Sequence, residues 1–152
     1  MNAPANLVVK RIISGSPEEV FEAWTQPPLM RQWLAPGENE VVEAHTDVRV
    51  GGRFQIRSIA PDRTLHTIDG QYRELAAGRR IVMTWSYSGP VELLCRMETL
   101  LEIDFVSAPG GRTALTLVQT QIATQDALEA YRDGWPTCFE KLERSFGAMK
   151  NS

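Results

Sequence analysis

The C-terminal stretch of the chain, residues 124–149, reads TQDALEAYRDGWPTCFEKLERSFGAM. Its large apolar residues recur at steps of three and four, as Leu128, Tyr131, Trp135, Cys138 or Phe139, Leu142, Phe146 and Met149. This spacing places them in one stripe along a helix of about seven turns. Thr124 is of a residue type that caps helix N-termini. The pattern predicts one long amphipathic helix whose apolar face must be covered by another layer.

Two residues in the middle of this helix, Gly134 and Pro136, are poor helix formers. Proline has no backbone N–H to donate to the carbonyl four residues earlier, and its ring crowds that carbonyl. We therefore expect a kink or a local break in the helix near Gly134.

The segment before this helix, from Glu40 to Gln121, has the residue pattern of β-strands throughout. The predicted strands are Val41–Val50, Arg53–Ile59, Leu65–Leu75, Arg80–Tyr87, Met97–Val106 and Thr113–Gln121. Gly51-Gly52 is expected to form a two-residue hairpin turn in which both glycines can take positive φ. Gly and Pro also mark the later connections. Strands joined by such short turns pair antiparallel, so the sequence predicts a meander.

A further strand and two short helices precede the meander. Leu7–Ile13 is rich in β-branched residues and is predicted to be the first strand. The tetrapeptide Ser16-Pro17-Glu18-Glu19 indicates a helix start, with Ser16 as N-cap and Glu19 at the capping-box position. Pro27-Pro28 breaks this helix. A second short helix is indicated by Leu29, Met30, Trp33 and Leu34, and Pro36-Gly37 closes it.

These elements predict a single α+β domain over residues 1–152. A curved antiparallel sheet of about six or seven strands, covered on its apolar face by the long helix, buries both apolar surfaces. The chain length of 152 residues is typical of one domain. A domain of this size buries enough surface to fold without a metal or a disulfide.

Composition and charge exclude several classes of partner. The net charge of −3 and the pI near 5.4 argue against nucleic acid as a partner. The first residues, MNAPAN, lack the basic start and apolar run of a signal peptide, and no stretch approaches the ~20 apolar residues of a membrane-spanning helix. We expect a cytoplasmic protein with no membrane partner. Cys95 and Cys138 are expected to be buried thiols.

The order of these motifs resembles that of one known superfamily. The residues that carry the resemblance are SPEEVFEAWT (16–25), WLAP (33–36), DVRVGGRF (47–54), GQYREL (70–75), VMTW (82–85), GRTALTL (111–117) and GW (134–135). Together they resemble the SRPBCC or START-like (Bet v 1-like) superfamily, over about residues 7 to 149. Within it the chain is similar to the AHSA-type branch, the homologues of the activator of the heat-shock chaperone ATPase. The resemblance implies a helix-grip fold, with a ligand-sized cavity between the sheet and the C-terminal helix.

Alternation along the strands and the helical stripe select candidate residues for lining that cavity. The predicted ligand-binding residues are Trp33, Phe54, Ile56, Tyr72, Met83, Trp85, Met97, Thr99, Leu101, Tyr131, Trp135 and Phe139. Aromatic side chains on converging elements can line an apolar pocket or fill it as core. Asp47 and Arg49, two residues apart beside the glycine turn, are candidates for a polar clamp at the cavity mouth. They can equally serve only to stabilise the hairpin.

No motif of a known catalytic or metal-binding type is present. His45 and His66 are the only histidines and have no carboxylate or cysteine at ligand spacing, so we expect no metal and no cofactor. The sequence has no Gly-x-Ser-x-Gly elbow and no phosphate-binding glycine loop. Catalytic residues therefore cannot be assigned from sequence.

Three functions remain open. The first is a binding module for a hydrophobic small molecule, a carrier or sensor that the family resemblance links to stress. The second is a polyketide-cyclase-like or hydrolase-like enzyme that acts on a hydrophobic substrate in the same cavity. That enzyme needs a buried acid or base, for which Glu43, Asp47 and Glu92 are the candidates. The third is a protein-interaction or chaperone-linked module, including a homodimer.

Overall fold

The computed structural model describes residues 5–150, and the side chains of residues 7–147. The strands are β1 (Ala5–Ile13), β2 (Glu40–Thr46), β3 (Arg53–Ile59), β4 (Leu65–Ala76), β5 (Arg80–Ser88), β6 (Glu98–Ala108) and β7 (Arg112–Ile122). The helices are α1 (Pro17–Thr25), α2 (Pro27–Met30) and α3 (Gln125–Lys150), and Glu92–Leu94 forms one 3₁₀ turn. Met149, the last residue of the predicted stripe, lies outside the described side chains.

All seven strands form one antiparallel sheet in the order β1-β7-β6-β5-β4-β3-β2. Strands β2 to β7 follow each other as the predicted meander, and β1 joins the edge of β7. One face of the curved sheet is covered by α3, so the core lies between the sheet and this helix. The predicted α+β helix-grip architecture is confirmed.

The first helix begins where the sequence predicts. The Ser16 hydroxyl accepts from the Glu19 N–H at 3.2 Å, and the Ser16 N–H donates to the Glu19 carboxylate at 2.9 Å. The two bonds form the expected capping box. The second helix differs from the prediction, because Pro27 and Pro28 start it and it ends at Met30, before Trp33 and Leu34. Proline is tolerated there since the first turn of a helix needs no backbone donors.

The connection between β2 and β3 is longer than the predicted two-residue turn. Strand β2 ends at Thr46, and residues 47–52 lie outside the two strands, so the predicted strand Val41–Val50 was too long. Gly51 has a φ of 87°, whereas Gly52 is not in the positive-φ region. Gly52 is required for another reason: a Cβ there would overlap the carbonyl oxygen of Asp47. The close approach of two backbone segments sets the shape of this connection.

Helix α3 runs without interruption through Pro136, so the alternative of a local break is wrong, and a kink near Gly134 stays a prediction. Pro136 leaves the carbonyl of Arg132 without its helical donor. Arg132 is exposed, so water can replace that donor. Thr124 caps the helix as predicted, with its hydroxyl accepting from the Ala127 N–H at 3.1 Å. The buried apolar stripe of α3 holds the helix against the sheet on both sides of the proline.

The connection between α2 and β2 is tied to α3 by polar contacts. The Lys141 ammonium donates to the carbonyl oxygens of Ala35 and Asn39, at 2.6 and 2.9 Å. The Gly37 N–H donates to the Thr137 hydroxyl at 2.9 Å. Burial lowers the pKa of Lys141. These bonds fix the position of residues 35–39 beside the helix, where they form part of the wall of the cavity described next.

Candidate functional site

A cavity of about 170 Å³ lies between the N-terminal half of α3 and the strands β3, β4 and β5. The sheet contributes Ile56, Ser58, His66, Ile68, Trp85 and Tyr87 to its wall, and α3 contributes Ala130, Tyr131, Gly134, Trp135 and Cys138. The remaining wall consists of Leu34, Pro36, Asn39, Val91 and Leu94. The cavity therefore lies beside the first half of α3 and does not extend along the whole helix.

Aromatic side chains close the inner side of the cavity. The rings of Trp85 and Trp135 lie 5.2 Å apart between their centroids, on opposite walls. Beyond them, Trp33 stacks on Phe139 at 6.0 Å and packs edge-on against Trp24 at 4.7 Å. The protein's own aromatic residues thus occupy space under the second half of α3, whereas the cavity lies under the first half.

Four of the predicted lining residues lie in the cavity wall: Ile56, Trp85, Tyr131 and Trp135. The others do not line this cavity and instead belong to the surrounding core or pack against it: Trp33, Phe54, Tyr72, Met83, Met97, Thr99, Leu101 and Phe139. All are buried except Met97, which is half-buried. Their part in binding a ligand stays a prediction.

Asp47 and Arg49 pair with each other in the β2–β3 connection, where the Arg49 Nε donates to Asp47 at 2.8 Å. The two side chains are exposed by 51% and 76%. Neither lines the cavity between α3 and the sheet. Their geometry matches the hairpin-stabilising interpretation, and a role as a polar clamp stays a prediction.

Several wall residues were not selected from the sequence, although strand alternation contains the signal for three of them. Ser58 continues the inward face of Phe54 and Ile56, and Tyr87 continues that of Met83 and Trp85. His66 lies on the inward face of β4 by the same two-residue period as Tyr72. Counting every second residue to the end of each strand identifies Ser58, His66 and Tyr87 as inward-facing.

A buried polar network supports the inner wall. Gln119, fully buried on β7, accepts from the Trp135 indole N–H at 3.0 Å and donates to the Thr99 hydroxyl at 2.9 Å. Thr99 in turn donates to the Trp85 carbonyl at 2.8 Å. The network links α3 to β5, β6 and β7, and so fixes the orientation of Trp135 in the cavity wall.

A second polar chain runs from the cavity wall to the surface. The Tyr87 hydroxyl lies 2.7 Å from His66 Nδ1, and His66 Nε2 lies 3.1 Å from the Thr64 hydroxyl. Thr64 bonds to the Asp62 carboxylate at 2.6 Å, which lowers the pKa of Asp62. The Tyr87 oxygen also accepts from the Val91 N–H at 3.1 Å. His66 and Tyr87 are thus held in fixed positions at the outer end of the cavity.

The cavity wall carries no Asp, Glu, Lys or Arg. Glu92 and Asp47 are exposed, and Glu43, on the outer side of the sheet, has its pKa lowered by a hydrogen bond from His45. None of these three carboxylates lines the cavity. Their positions therefore do not support an enzyme that uses one of these carboxylates as a buried acid or base in the cavity.

The two cysteines are free thiols in different surroundings. Cys138 is buried in the cavity wall, and burial raises its pKa to about 12. Cys95, in contrast, is only half-buried, so the expectation that both thiols are buried holds for Cys138 alone. Among the residues that the structure describes, no three His, Cys, Asp or Glu side chains are grouped so as to hold a metal ion.

Comparison with known proteins gives a family and a set of structures. The family model described as "Activator of Hsp90 ATPase homolog 1-like protein" matches residues 14–147. No curated protein sequence matches the chain. Within residues 5–150, no helix has both the length and the apolar composition needed to span a membrane.

Several solved structures share this fold over almost their whole length. The protein CV1439 of Chromobacterium violaceum has a TM-score of 0.79 at 25% identity, with 93% of this chain and 96% of that chain covered. The protein MLL2253 of Mesorhizobium loti has a TM-score of 0.73 at 26% identity, covering 92% and 95%. The AHSA1 protein of Silicibacter pomeroyi has a TM-score of 0.79 at 17% identity, covering 95% and 99%.

Proposed function

The chain belongs to the family of Activator of Hsp90 ATPase homolog 1-like proteins, and we propose that it binds a small, largely apolar molecule in the cavity between α3 and the sheet. The observation that carries the proposal is the cavity itself, which has about 170 Å³ of free space. Ligand pockets of this kind combine apolar walls with a few fixed polar groups.

The size of the cavity limits the ligand. An apolar cavity of roughly 150 Å³ binds benzene, so 170 Å³ suits a molecule of about one six-membered ring. Ligands that extend toward the second half of α3 require the Trp33 and Phe139 side chains to move, and these are packed against each other. The proposed ligand is therefore compact.

Toluene is the probe that tests this proposal. We expect it to shift the indole N–H signals of Trp85 and Trp135 in a saturable manner in two-dimensional ¹H–¹⁵N NMR spectra, because both rings line the cavity. Ala130→Leu places a larger side chain in the wall and should weaken binding at least about tenfold. Ala123→Leu makes the same change at an exposed site outside the cavity and should leave binding unchanged. Absence of any saturable shift in the unmodified protein would show the proposal to be wrong.

The same proposal includes the physiological role. A compact cavity without a charged wall residue suits a carrier or sensor, and the family resemblance links such a role to stress. The proposal places the protein in the cytoplasm, with the small molecule as its partner.

Self-association into a homodimer is a second candidate, because apolar side chains lie exposed on the outer face of the sheet. Ile12, Ala114 and Val106 follow one another across β1, β7 and β6, and Ile12 and Val106 are exposed by 50% and 60%. Exposed apolar patches are typical of interaction sites. A dimeric molar mass in light scattering would support this candidate, and a monomeric mass at every concentration would exclude it.

A further inference from the structure

Two hydrogen-bond donors in the cavity wall have no acceptor in the protein. They are the hydroxyl of Tyr131 and the indole N–H of Trp85, both buried and both on residues that line the cavity. Folded proteins rarely leave buried donors unpaired, because the loss of hydration is not compensated. An acceptor that enters the cavity from outside would compensate for it.

Tyr131 and Tyr87 both line the cavity, and the Tyr131 hydroxyl is buried. Burial raises the pKa of Tyr131, the nearby Gln119 amide lowers it, and Tyr87 and Cys95 raise it further. The Tyr131 hydroxyl has no hydrogen-bond partner in the protein, and the Gln119 oxygen accepts from the Trp135 indole N–H. Tyr131 therefore offers a free donor in the cavity wall that also contains Tyr87.

The order of donors and acceptors along the hydrogen bonds from Asp62 to Tyr87 determines whether the Tyr87 hydroxyl can donate to a ligand or accept from it. The ionised Asp62 carboxylate can only accept, so the Thr64 hydroxyl donates to it and must accept from His66 Nε2–H. With its hydrogen on Nε2, the His66 ring has an acceptor at Nδ1, to which the Tyr87 hydroxyl donates. Since the Tyr87 hydrogen is engaged with His66, its oxygen can only accept, and it has room for one more donor beside Val91 N–H.

The two tyrosines of the cavity wall therefore offer one free donor, the Tyr131 hydroxyl, and one free acceptor, the Tyr87 oxygen. A hydroxyl group matches both, because it accepts at its oxygen and donates its hydrogen. A carboxylate does not match, since the wall has no Lys or Arg to pair with its charge. The rings of Trp85 and Trp135 and the side chain of Ile68 suit the flat apolar body of one ring.

We propose that the cavity takes a single-ring phenol, whose hydroxyl accepts a hydrogen bond from Tyr131 and donates one to Tyr87. This assignment rests on the proposed binding function and adds the chemical class of the ligand. An apolar cavity without these partners would prefer toluene, because burying the phenol hydroxyl unpaired is unfavourable.

Phenol, toluene and benzoate, titrated separately and followed by the same NMR signals, test the assignment. The unmodified protein should bind phenol at least as tightly as toluene, and benzoate at least about tenfold more weakly than phenol. Tyr131→Phe should weaken phenol about tenfold, the loss of one hydrogen bond, and leave toluene within about twofold. Tyr72→Phe is the matched control, since the Tyr72 hydroxyl is also buried and unpaired but does not line the cavity. It should change neither affinity.

The outcomes separate the two proposals. Saturable toluene binding, with a phenol affinity that Tyr131→Phe leaves unchanged, would overturn the phenol assignment and leave the binding function in place. Absence of binding by toluene and phenol alike would overturn both. Folding is not at risk in these variants, because each removes a single oxygen atom that has no protein partner.

Discussion

Gly70→Ala is expected to destabilise the protein by about 3 kcal/mol or more, a loss large enough to threaten folding. Gly70 is buried in the middle of β4, between β3 and β5. A Cβ at this position would overlap the carbonyl oxygen of Thr84 on β5 and lie 2.8 Å from the ring of Phe54. The Thr84 carbonyl belongs to the backbone of an interior strand, so it cannot move aside without disturbing the sheet.

A hydrogen bond next to Gly70 connects β4 and β5 at the point where they come close. The Gln71 N–H, next to Gly70, donates to the Thr84 hydroxyl at 2.9 Å. A side chain on residue 70 would push β5 away and break this bond. Urea unfolding followed by circular dichroism measures the effect. Gly147→Ala on α3 is the control, because a Cβ there meets nothing within 4 Å, and it should stabilise by up to about 1 kcal/mol. Equal unfolding midpoints for Gly70→Ala and the unmodified protein would contradict the close approach of Thr84.

The fold followed from the sequence wherever a local signal and the packing requirement agreed. The capping box at Ser16 and Glu19 and the apolar stripe of α3 depend on residue types at fixed spacings, and both were predicted. The end of β2 was not predicted, because Val48 and Val50 favour a strand by residue type alone. In the structure they lie in the connection, exposed by 40% and 65%. Contacts between distant backbone segments decide such positions, and local patterns do not contain them.

The sequence predicts which side chains face the core at the candidate site, but not where the core leaves free space. Alternation along the strands and the apolar stripe of α3 identify which side chains face the core, and Trp85, Tyr131 and Trp135 were found in this way. It does not identify where free space remains, because that depends on how distant side chains fill the core. Trp33 and Phe139 face inward as expected and occupy their end of the core. Gly134 brings no side chain to the other end. A cavity is the space that all the surrounding side chains leave unfilled, so no single residue pattern predicts it.

Gln119→Leu is expected to destabilise the protein by about 2–3 kcal/mol, although leucine is similar in size and more apolar. The substitution leaves the Trp135 indole N–H buried without an acceptor and removes the donor to Thr99. An unpaired buried donor costs roughly 1–3 kcal/mol, and disruption of a connected network adds to that cost. Because Trp135 lines the cavity, its loss of orientation should also weaken toluene binding.

A double-mutant cycle with Trp135→Phe separates the lost hydrogen bond from a loss of packing. Phenylalanine at position 135 removes the indole N–H, so Gln119→Leu in that background leaves only Thr99 without its partner. The destabilisation by Gln119→Leu should therefore be smaller by about 1 kcal/mol or more than in the unmodified protein. Additive free energies of unfolding would mean that the bond between Gln119 and Trp135 does not contribute to the effect of Gln119→Leu. Coupling of the expected sign would mean that this bond helps to hold the cavity-lining Trp135 on the sheet.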